Sequence, residues 1–189
     1  MEPTIRLSQL ITGGSVHVVG GDPVITALAC DSRRVKPGTC FFALPGSRSD
    51  GQQFVAQALQ AGAVAVVVEP GTCRDAPVRI ETHDRRALMA RMAARFYGDP
   101  SSKMRTVGIT GTNGKSSCAW ILGQILEYSG MSSAVLGTLG LIFRGNLRGG
   151  ALTTPESIDL MAIMHDVHAQ GANAFVMEVS SHALALERV

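Results

Sequence analysis

The sequence contains no long apolar run. Its longest apolar stretch, residues 61–68, is far shorter than the roughly 20 residues that a membrane-spanning helix needs, so we expect no membrane span. The amino terminus also lacks a basic segment followed by an apolar core and a small-residue cleavage site, which is the pattern of a secretory signal. Together these two absences favour a cytoplasmic protein.

Cysteine and charge are also scarce. The chain has 4 cysteines, without a C-x-x-C pair or other metal-ligand spacing, which predicts reduced, structural thiols rather than a zinc site. Charged residues make up 17% of the chain, the formal net charge is +2 and the arginines are scattered. Such a balance is too mild for a nucleic-acid surface. We therefore expect small anionic ligands and no nucleic acid.

Hydrophobic residues and glycine are abundant, at 46% of the chain and 21 positions, which suits alternating strands and helices. A helix over residues 50–62 precedes a strand over residues 63–68. Another helix starts at Asp84 and places Leu88, Met92 and Phe96 on one face, and Gly98 and Pro100 follow it. We predict a small α/β domain over residues 1–99, with residues 100–103 as a linker.

The remainder, residues 100–189, also alternates strands with helices. It is predicted to have strands near residues 105–110, 133–136 and 174–179 and helices after residue 114 and over residues 155–170. The first of these helices has an apolar stripe formed by Cys118, Ile121, Leu122, Ile125 and Leu126. Such alternation predicts an α/β fold with a parallel sheet. The strands are too few for a complete doubly wound sheet, so we expect an incomplete phosphate-loop domain and a truncated chain.

A glycine-rich segment lies between the strand at 105–110 and the helix with the apolar stripe. Glycines let successive N–H groups point at phosphate oxygens, and the following helix adds the positive end of its dipole. The usual pattern G-x-x-x-x-G-K-[ST] requires glycine where this chain has Ile109, so the match is a variant one. We predict ATP binding by Gly111, Thr112, Asn113, Gly114, Lys115, Ser116 and Ser117.

Magnesium is the expected companion of the nucleotide. The hydroxyl of Ser116 would ligate Mg²⁺, and Lys115 would reach the outer phosphates. A second ligand is expected from an acid at the carboxyl end of a neighbouring strand, where Glu178 lies. We predict catalytic roles for Lys115 and Glu178 and a metal role for Ser116 and Glu178. The alternative is that Glu178 merely caps the next helix.

Several separated segments resemble the Mur ligases, which form amide bonds in peptidoglycan precursor synthesis. The run from Gly108 to Ser117 is similar to their ATP loop, including its departure from the usual pattern. The segments Thr153-Thr154-Pro155 and Met177 to Leu184 are similar to the third-step ligases, which add a diamino acid. Further matches to the nucleotide-sugar domain are Asp31-Ser32-Arg33, Pro37-Gly38, Phe41-Phe42-Ala43-Leu44, Gly46 and Asp50-Gly51.

The resemblance implies an enzyme that uses ATP to join meso-diaminopimelate or L-lysine to UDP-N-acetylmuramoyl-L-alanyl-D-glutamate through an acyl phosphate. It places the nucleotide-sugar site in residues 1–99 and the ATP site in residues 100–189. It also implies a monomer. Alternatives from the residues are that Ser32 is a turn residue and that Thr153-Thr154 cap the helix beginning at Pro155. The substrate-binding residues that the resemblance implies are Cys30, Ser32, Ser47, Arg48, Ser49, Thr153, Thr154, Ser180 and Arg188.

The family's carbamylated lysine and its carboxy-terminal domain find no counterpart in these 189 residues. We therefore expect the chain alone to lack ligase turnover. Two other functions remain open. One is the fourth-step ligase, which adds D-alanyl-D-alanine to the tripeptide precursor. The other is a non-catalytic nucleotide-sugar-binding protein derived from the family.

Overall fold

The computed structural model describes residues 3–11, 13, 15–46, 50–149 and 152–189. The chain divides into two compact units, residues 1–96 (unit 1) and 97–189 (unit 2). Each unit contains strands, helices and a sheet with parallel pairs, which confirms the predicted α/β class. The linker prediction is wrong, because Pro100–Lys103 forms a 3-10 helix within unit 2.

Unit 1 is built from short strands and helices, two of its helices being 3-10 turns at Ser32–Arg34 and Gly51–Phe54. The region predicted as one helix over residues 50–62 is the second 3-10 turn followed by an α-helix. The strands are β1 (Ile5–Arg6), β2 (His17–Val19), β3 (Val24–Ile25), β4 (Ala27–Ala29), β5 (Thr39–Phe42), β6 (Ala63–Val68) and β7 (Arg79–Glu81). The α-helices are α1 (Leu7–Leu10), α2 (Val55–Gln60) and α3 (Arg85–Phe96).

The main sheet of unit 1 has the strand order β2-β7-β6-β5-β4. The strands from β7 to β4 pair in parallel and β2 pairs antiparallel with β7 at the edge. β6 is almost entirely buried, as expected of a parallel strand covered on both faces. On α3, the predicted apolar face is confirmed, since Leu88, Met92 and Phe96 are all buried.

Unit 2 contains the glycine-rich segment. The helix predicted over residues 155–170 begins at Ser157 and ends at Ala169. The strands are β8 (Arg105–Ile109), β9 (Ser133–Gly137), β10 (Gly140–Phe143), β11 (Asn146–Arg148) and β12 (Ala174–Glu178). The α-helices are α4 (Lys115–Tyr128), α5 (Ser157–Ala169) and α6 (Ser181–Ala185).

The sheet of unit 2 has the strand order β11-β10-β9-β12-β8. β9, β12 and β8 are parallel, as predicted, whereas β10 pairs antiparallel with both β9 and β11. The β10–β11 hairpin was not predicted. It turns at Arg144 and Gly145, which both have positive φ, the conformation that suits a tight two-residue hairpin. Only the glycine of this pair is a recognisable turn residue in the sequence.

The predicted apolar stripe of α4 is wrong in part. Ile121 and Ile125 are 56% and 57% exposed, and the buried positions are Ala119 and Gly123. α4 packs mainly on β9 and β12, and its small residues let the helix backbone approach those strands closely. Side-chain size therefore decides the contact face here more than hydrophobicity does. Among the described residues, no helix has the length and hydropathy to span a membrane.

Candidate nucleotide and metal site

Three neighbouring strands of unit 2 end at the same edge of the sheet. Glu178, at the end of β12, is in register with Ile109, at the end of β8. Leu136 of β9 is in register with Met177, so Gly137 follows at the level of Glu178. The carboxyl ends of parallel strands are the usual ligand-binding edge of such a sheet. The glycine loop and the Glu178 carboxylate are thus placed at adjacent strand ends.

The loop after β8 has the backbone that a phosphate site requires. Gly111 and Gly114 both have positive φ, at 148° and 79°, a region that favours glycine. Gly114 precedes the first residue of α4, and no described side chain caps that helix start. The first-turn N–H groups are therefore left for another acceptor, and the helix dipole favours an anion there.

The side chains of the loop are mostly open to solvent. Thr112, Asn113, Ser116 and Ser117 are exposed, and Lys115 is half-buried. The ammonium group of Lys115 donates to the carbonyl oxygens of Gly111 at 2.7 Å and Thr112 at 3.5 Å. The cation therefore lies over the loop itself, where it is available to a bound phosphate.

Glu178 is 3% exposed, and both of its carboxylate oxygens accept hydrogen bonds from Thr138 in the β9–β10 turn. The Thr138 amide donates to Oε1 at 2.9 Å, and its hydroxyl donates to Oε2 at 3.2 Å. The next helix, α6, is capped instead by Ser180, whose hydroxyl accepts from the Ala183 amide. The interpretation of Glu178 as a helix cap is therefore wrong.

Thr153 and Thr154 lie beside this carboxylate in different ways. The Thr153 hydroxyl is 3.1 Å from the Thr138 hydroxyl. Thr154 is buried, donates its hydroxyl to the Glu178 main-chain oxygen at 2.9 Å, and accepts from the Ser180 amide at 3.1 Å. The alternative that these threonines cap α5 is wrong, because the residue at that cap is Glu156.

Arg188, which follows α6, contacts the same cluster. Its guanidinium contacts Glu156 at 2.9 Å and donates to the Thr154 carbonyl at 3.3 Å. Its buried Nε has no hydrogen-bond partner among the described residues, so this donor is unused. The structure therefore brings together Thr153, Thr154, Ser180 and Arg188, which the family resemblance assigns to one substrate site.

The sequence analysis missed Gly137, Thr138 and Glu156 as members of this site. A side chain at residue 137 would collide with Glu178, since an added Cβ would lie 2.0 Å from Oε1. The available signal was a glycine and a hydroxyl residue directly after the buried strand β9. That signal is weak, because glycine and threonine after a strand also occur in ordinary turns.

Unit 1 has an open cleft of about 560 Å³ at the end of β4. Two predicted residues, Cys30 and Ser32, line it, and the Ser32 hydroxyl donates to the Gln57 side-chain oxygen at 2.9 Å. Ser32 is also the first residue of the 3-10 turn Ser32–Arg34. The other lining residues are Asp31, Arg33, Phe54 and Gln57.

Asp31 and Arg33 form the main charged pair of this cleft. The Arg33 guanidinium contacts the Asp31 carboxylate at 2.6 Å. This hydrogen bond is the largest cause that lowers the pKa of Asp31 to about 2, and it also raises the pKa of Arg33. Both groups are therefore charged at neutral pH. The remaining predicted residues of unit 1, Ser47, Arg48 and Ser49, lie outside the described residues.

The residues of unit 2 fit a magnesium nucleotide better than a metal held by protein alone. The described residues contain no cluster of three or more His, Cys, Asp or Glu side chains. Mg²⁺ is typically held by one or two carboxylates together with waters and substrate phosphates. Glu178 and the open glycine loop offer that donor set. These features define a phosphate-loop α/β protein with an acidic group at the neighbouring strand end.

Two family models match the chain, one in each half. The model described as Mur ligase family, catalytic domain, matches residues 24–97, and the Mur ligase middle domain matches residues 109–189. The chain belongs to the Mur ligase family.

Curated relatives carry one repeated name, UDP-N-acetylmuramoyl-L-alanyl-D-glutamate–2,6-diaminopimelate ligase. The protein of this name from Geobacter sulfurreducens is 48% identical over 188 residues, and that from Pseudomonas putida is 41% identical over 190 residues. Each alignment covers 98% of this chain but 37% of the relative. The chain therefore spans little more than a third of the length of these relatives.

Solved structures agree on the fold. A structure of a ligase with that same name is 29% identical, with a TM-score of 0.74, and the match covers 87% of this chain and 34% of the other. The MurF ligase from Thermotoga maritima in complex with ADP is 24% identical, with a TM-score of 0.56, covering 82% of this chain and 32% of the other. The second likeness supports the fold alone.

Proposed function

We propose that this chain supplies the nucleotide-sugar-binding and ATP-binding parts of a ligase that joins 2,6-diaminopimelate to UDP-N-acetylmuramoyl-L-alanyl-D-glutamate. The observation that carries the proposal is the shared strand edge of unit 2. There the glycine loop, Glu178 and the Thr153–Thr154 segment lie at or beside adjacent strand ends. Such an edge suits the transfer of a phosphoryl group from a nucleotide to a neighbouring substrate.

ATP would be held by the loop, with Lys115 and the first-turn N–H groups of α4 on its phosphates. Mg²⁺ would be held by the Ser116 hydroxyl and the Glu178 carboxylate, and it would supply charge neutralisation on the transferring phosphoryl group. Because the Lys115 ammonium already lies over the loop, it needs little movement to offset the same charge. The residues of this site act by positioning and electrostatics.

The muramoyl peptide would lie beside this edge, against Thr153, Thr154, Ser180 and Arg188. Arg188 suits a substrate carboxylate because its planar guanidinium binds carboxylates in bidentate fashion. Phosphorylation of that carboxylate would give an acyl phosphate, and attack by the incoming amine would form the amide and release phosphate. The names of the curated relatives favour 2,6-diaminopimelate over lysine as that amine.

The uridine diphosphate end of the substrate would occupy unit 1. The cleft that Cys30 and Ser32 line supports this assignment, because it offers hydroxyl, amide and guanidinium groups around an open volume. Residues 47–49 remain part of this proposal as sequence matches. We further infer that the chain alone binds substrates without turnover, because it spans about 37% of the length of its relatives.

A calorimetric titration with ATP and Mg²⁺ tests the ATP site. Lys115→Ala should weaken ATP binding roughly 10- to 100-fold, as for loss of a hydrogen bond to a charged group. Lys103→Ala is the matched control, because it removes an exposed lysine in the same unit, and it should leave the affinity unchanged. Equal affinities of the Lys115→Ala variant and the wild type would show that the loop is not the site.

A second titration tests the nucleotide-sugar site. UDP-N-acetylmuramoyl-L-alanyl-D-glutamate should bind the wild-type chain, and Ser32→Ala should weaken this binding while leaving ATP binding intact. The variant removes the hydroxyl that bonds to Gln57 in the cleft. If the wild-type chain does not bind this ligand, the assignment of unit 1 to the nucleotide sugar fails, whatever the ATP titration shows.

A further inference from the structure

The hydroxyl of Thr138 takes part in two hydrogen bonds at once. It is 3.2 Å from Oε2 of Glu178 and 3.1 Å from the hydroxyl of Thr153. Thr138 follows β9, Glu178 ends β12, and Thr153 precedes α5. One side chain in the β9–β10 turn therefore connects the acid at the strand edge to the threonine segment.

The available hydroxyl protons determine which group donates in each contact between Thr153, Thr138 and Glu178. A carboxylate oxygen only accepts, so Thr138 must use its single hydroxyl proton for Glu178. The contact between Thr138 and Thr153 then requires Thr153 to donate. With its proton committed, the Thr153 oxygen faces any ligand as an acceptor. It would pair with an N–H or O–H group rather than with a carboxylate.

The Glu178 carboxylate has a hydrogen-bond donor at each of its two oxygens. Thr138 holds both oxygens, one through its amide and one through its hydroxyl. Gly137 leaves the space that the carboxylate occupies, since a Cβ there would lie 2.0 Å from Oε1. Each oxygen still has a lone pair for a cation, so the hydrogen bonds and a metal are compatible.

We propose that Thr138 is a positioning residue, which orients the Glu178 carboxylate toward the nucleotide-bound metal and sets the Thr153 hydroxyl as an acceptor for an N–H or O–H group of the substrate. This inference rests on the proposed function, because it assigns the metal and the substrate to the same strand edge. Partners of metal-ligating carboxylates typically change metal affinity by roughly 10- to 100-fold when removed.

Mn²⁺ affinity in the presence of ATP, followed by electron paramagnetic resonance on the 189-residue chain, tests the metal part. Thr138→Val keeps the amide donor and the shape but removes the hydroxyl, and it should weaken Mn²⁺ binding roughly 10-fold. Thr138→Ser restores the hydroxyl and should remain within about twofold of the wild type. Thr106→Val makes the same change at an exposed position of β8 and should have no effect.

Side-chain order of Glu178 separates this inference from the proposed function. In ¹³C relaxation measurements without metal or nucleotide, Thr138→Val should make the Glu178 side chain more mobile, whereas Thr138→Ser and Thr106→Val should not. If the wild type binds neither ATP nor Mn²⁺, the proposed function fails and this measurement still decides the role of Thr138. An equally ordered Glu178 in Thr138→Val, or an unchanged Mn²⁺ affinity, would overturn the inference.

Far-ultraviolet circular dichroism and the fluorescence of Trp120 establish that each variant is folded before these comparisons. Trp120 lies on α4, so its emission reports on the unit that contains the substitutions. If the Thr138→Val variant does not fold, Thr138→Ala is used for the same comparison. Its smaller side chain also lacks the hydroxyl and creates no new contact.

Discussion

At the scale of single residues, the glycine at position 137 leaves the space that the buried Glu178 carboxylate occupies. Glu178 is buried against the end of β9, in the space that a Cβ at residue 137 would fill. A buried carboxylate is costly unless it is hydrogen-bonded, and the Thr138 donors supply those bonds. The glycine provides the space and the threonine provides the hydrogen-bond donors for the same carboxylate.

A prediction at the residue scale concerns Asp31 and Arg33, the charged pair of the unit 1 cleft. Arg33→Gln should raise the pKa of Asp31 from about 2 toward 3.8, because the guanidinium is the largest cause of the lowered value. A ¹³C titration of the Asp31 carboxyl measures it directly. Arg34→Gln, which removes the adjacent arginine, should produce a smaller rise. An unchanged Asp31 titration in Arg33→Gln would refute the pairing.

This shift also determines the sign of a pH dependence. The pKa of Asp31 is lower in the folded protein than the ordinary value of 3.8, so the pair stabilises unit 1 fully above pH 3.8 or so. The stabilisation is lost as the pH falls toward about 2, where the folded carboxyl takes up its proton. Because Arg33 is 83% exposed, we expect the effect on stability to be modest.

At the scale of elements, the contact of α4 with β9 depends on Gly123. A Cβ at this position would lie 2.3 Å from Cγ2 of Val135, which is buried in β9. The helix therefore sits closer to the sheet than any larger residue would allow. This closeness explains why the small positions of α4 are buried and its isoleucines are exposed.

Gly123→Val should destabilise unit 2 by about 1–3 kcal/mol, the usual cost of forcing extra atoms into a packed contact. Gln124→Val is the matched control, because it places the same β-branched residue at the next, exposed position of α4. Its cost should be no more than about 0.5 kcal/mol. Urea unfolding followed by Trp120 fluorescence gives both values, and equal costs would show that the close packing is not significant.

The exposed face of α4 is the clearest unexplained property of this element. Trp120 and Tyr128 are 46% and 98% exposed, beside the two exposed isoleucines. Exposed apolar patches of this kind commonly mark surfaces of interaction. Nothing in the described residues shows what contacts this face. The expectation of a monomer therefore remains a prediction, which sedimentation velocity over a range of concentrations would test.

At the scale of the whole molecule, the two units differ in the type of aromatic residue that they contain. The one tryptophan and both tyrosines of the chain fall in residues 97–189. Phe41, by contrast, is 1% exposed in the core of unit 1. Tryptophan and tyrosine fluorescence therefore reports on unit 2, so the stability of this unit can be followed separately from that of unit 1.

Phe41→Ala should destabilise unit 1 by about 3–5 kcal/mol, as for other buried phenylalanines. Hydrogen exchange of the β5 and β6 amides should accelerate, while Trp120 fluorescence and ATP affinity stay at the wild-type values. Phe54→Ala, at a phenylalanine that is 37% exposed, should cost much less. A loss of ATP binding in Phe41→Ala would contradict this expectation.

The sequence alone determined the α/β class, the strand–loop–helix order around Gly111–Ser116 and the apolar face of α3. These follow from local periodicity and from glycine positions, which depend on neighbours along the chain. The family resemblance added the residues that cluster beside Glu178. Residues 100–103, predicted as a linker, form a 3-10 helix within unit 2.

Only the tertiary structure decided which face of α4 is buried, that β10 and β11 form a hairpin, and that Thr138 holds the Glu178 carboxylate. The hairpin is local, but Arg144 at its turn gives no recognisable turn signal. The other two features depend on contacts between residues more distant in the sequence, 40 positions in the case of Thr138 and Glu178. Local patterns contain no information on such distances. Strand order and register bring these groups together, and they are set by the packing of the whole sheet.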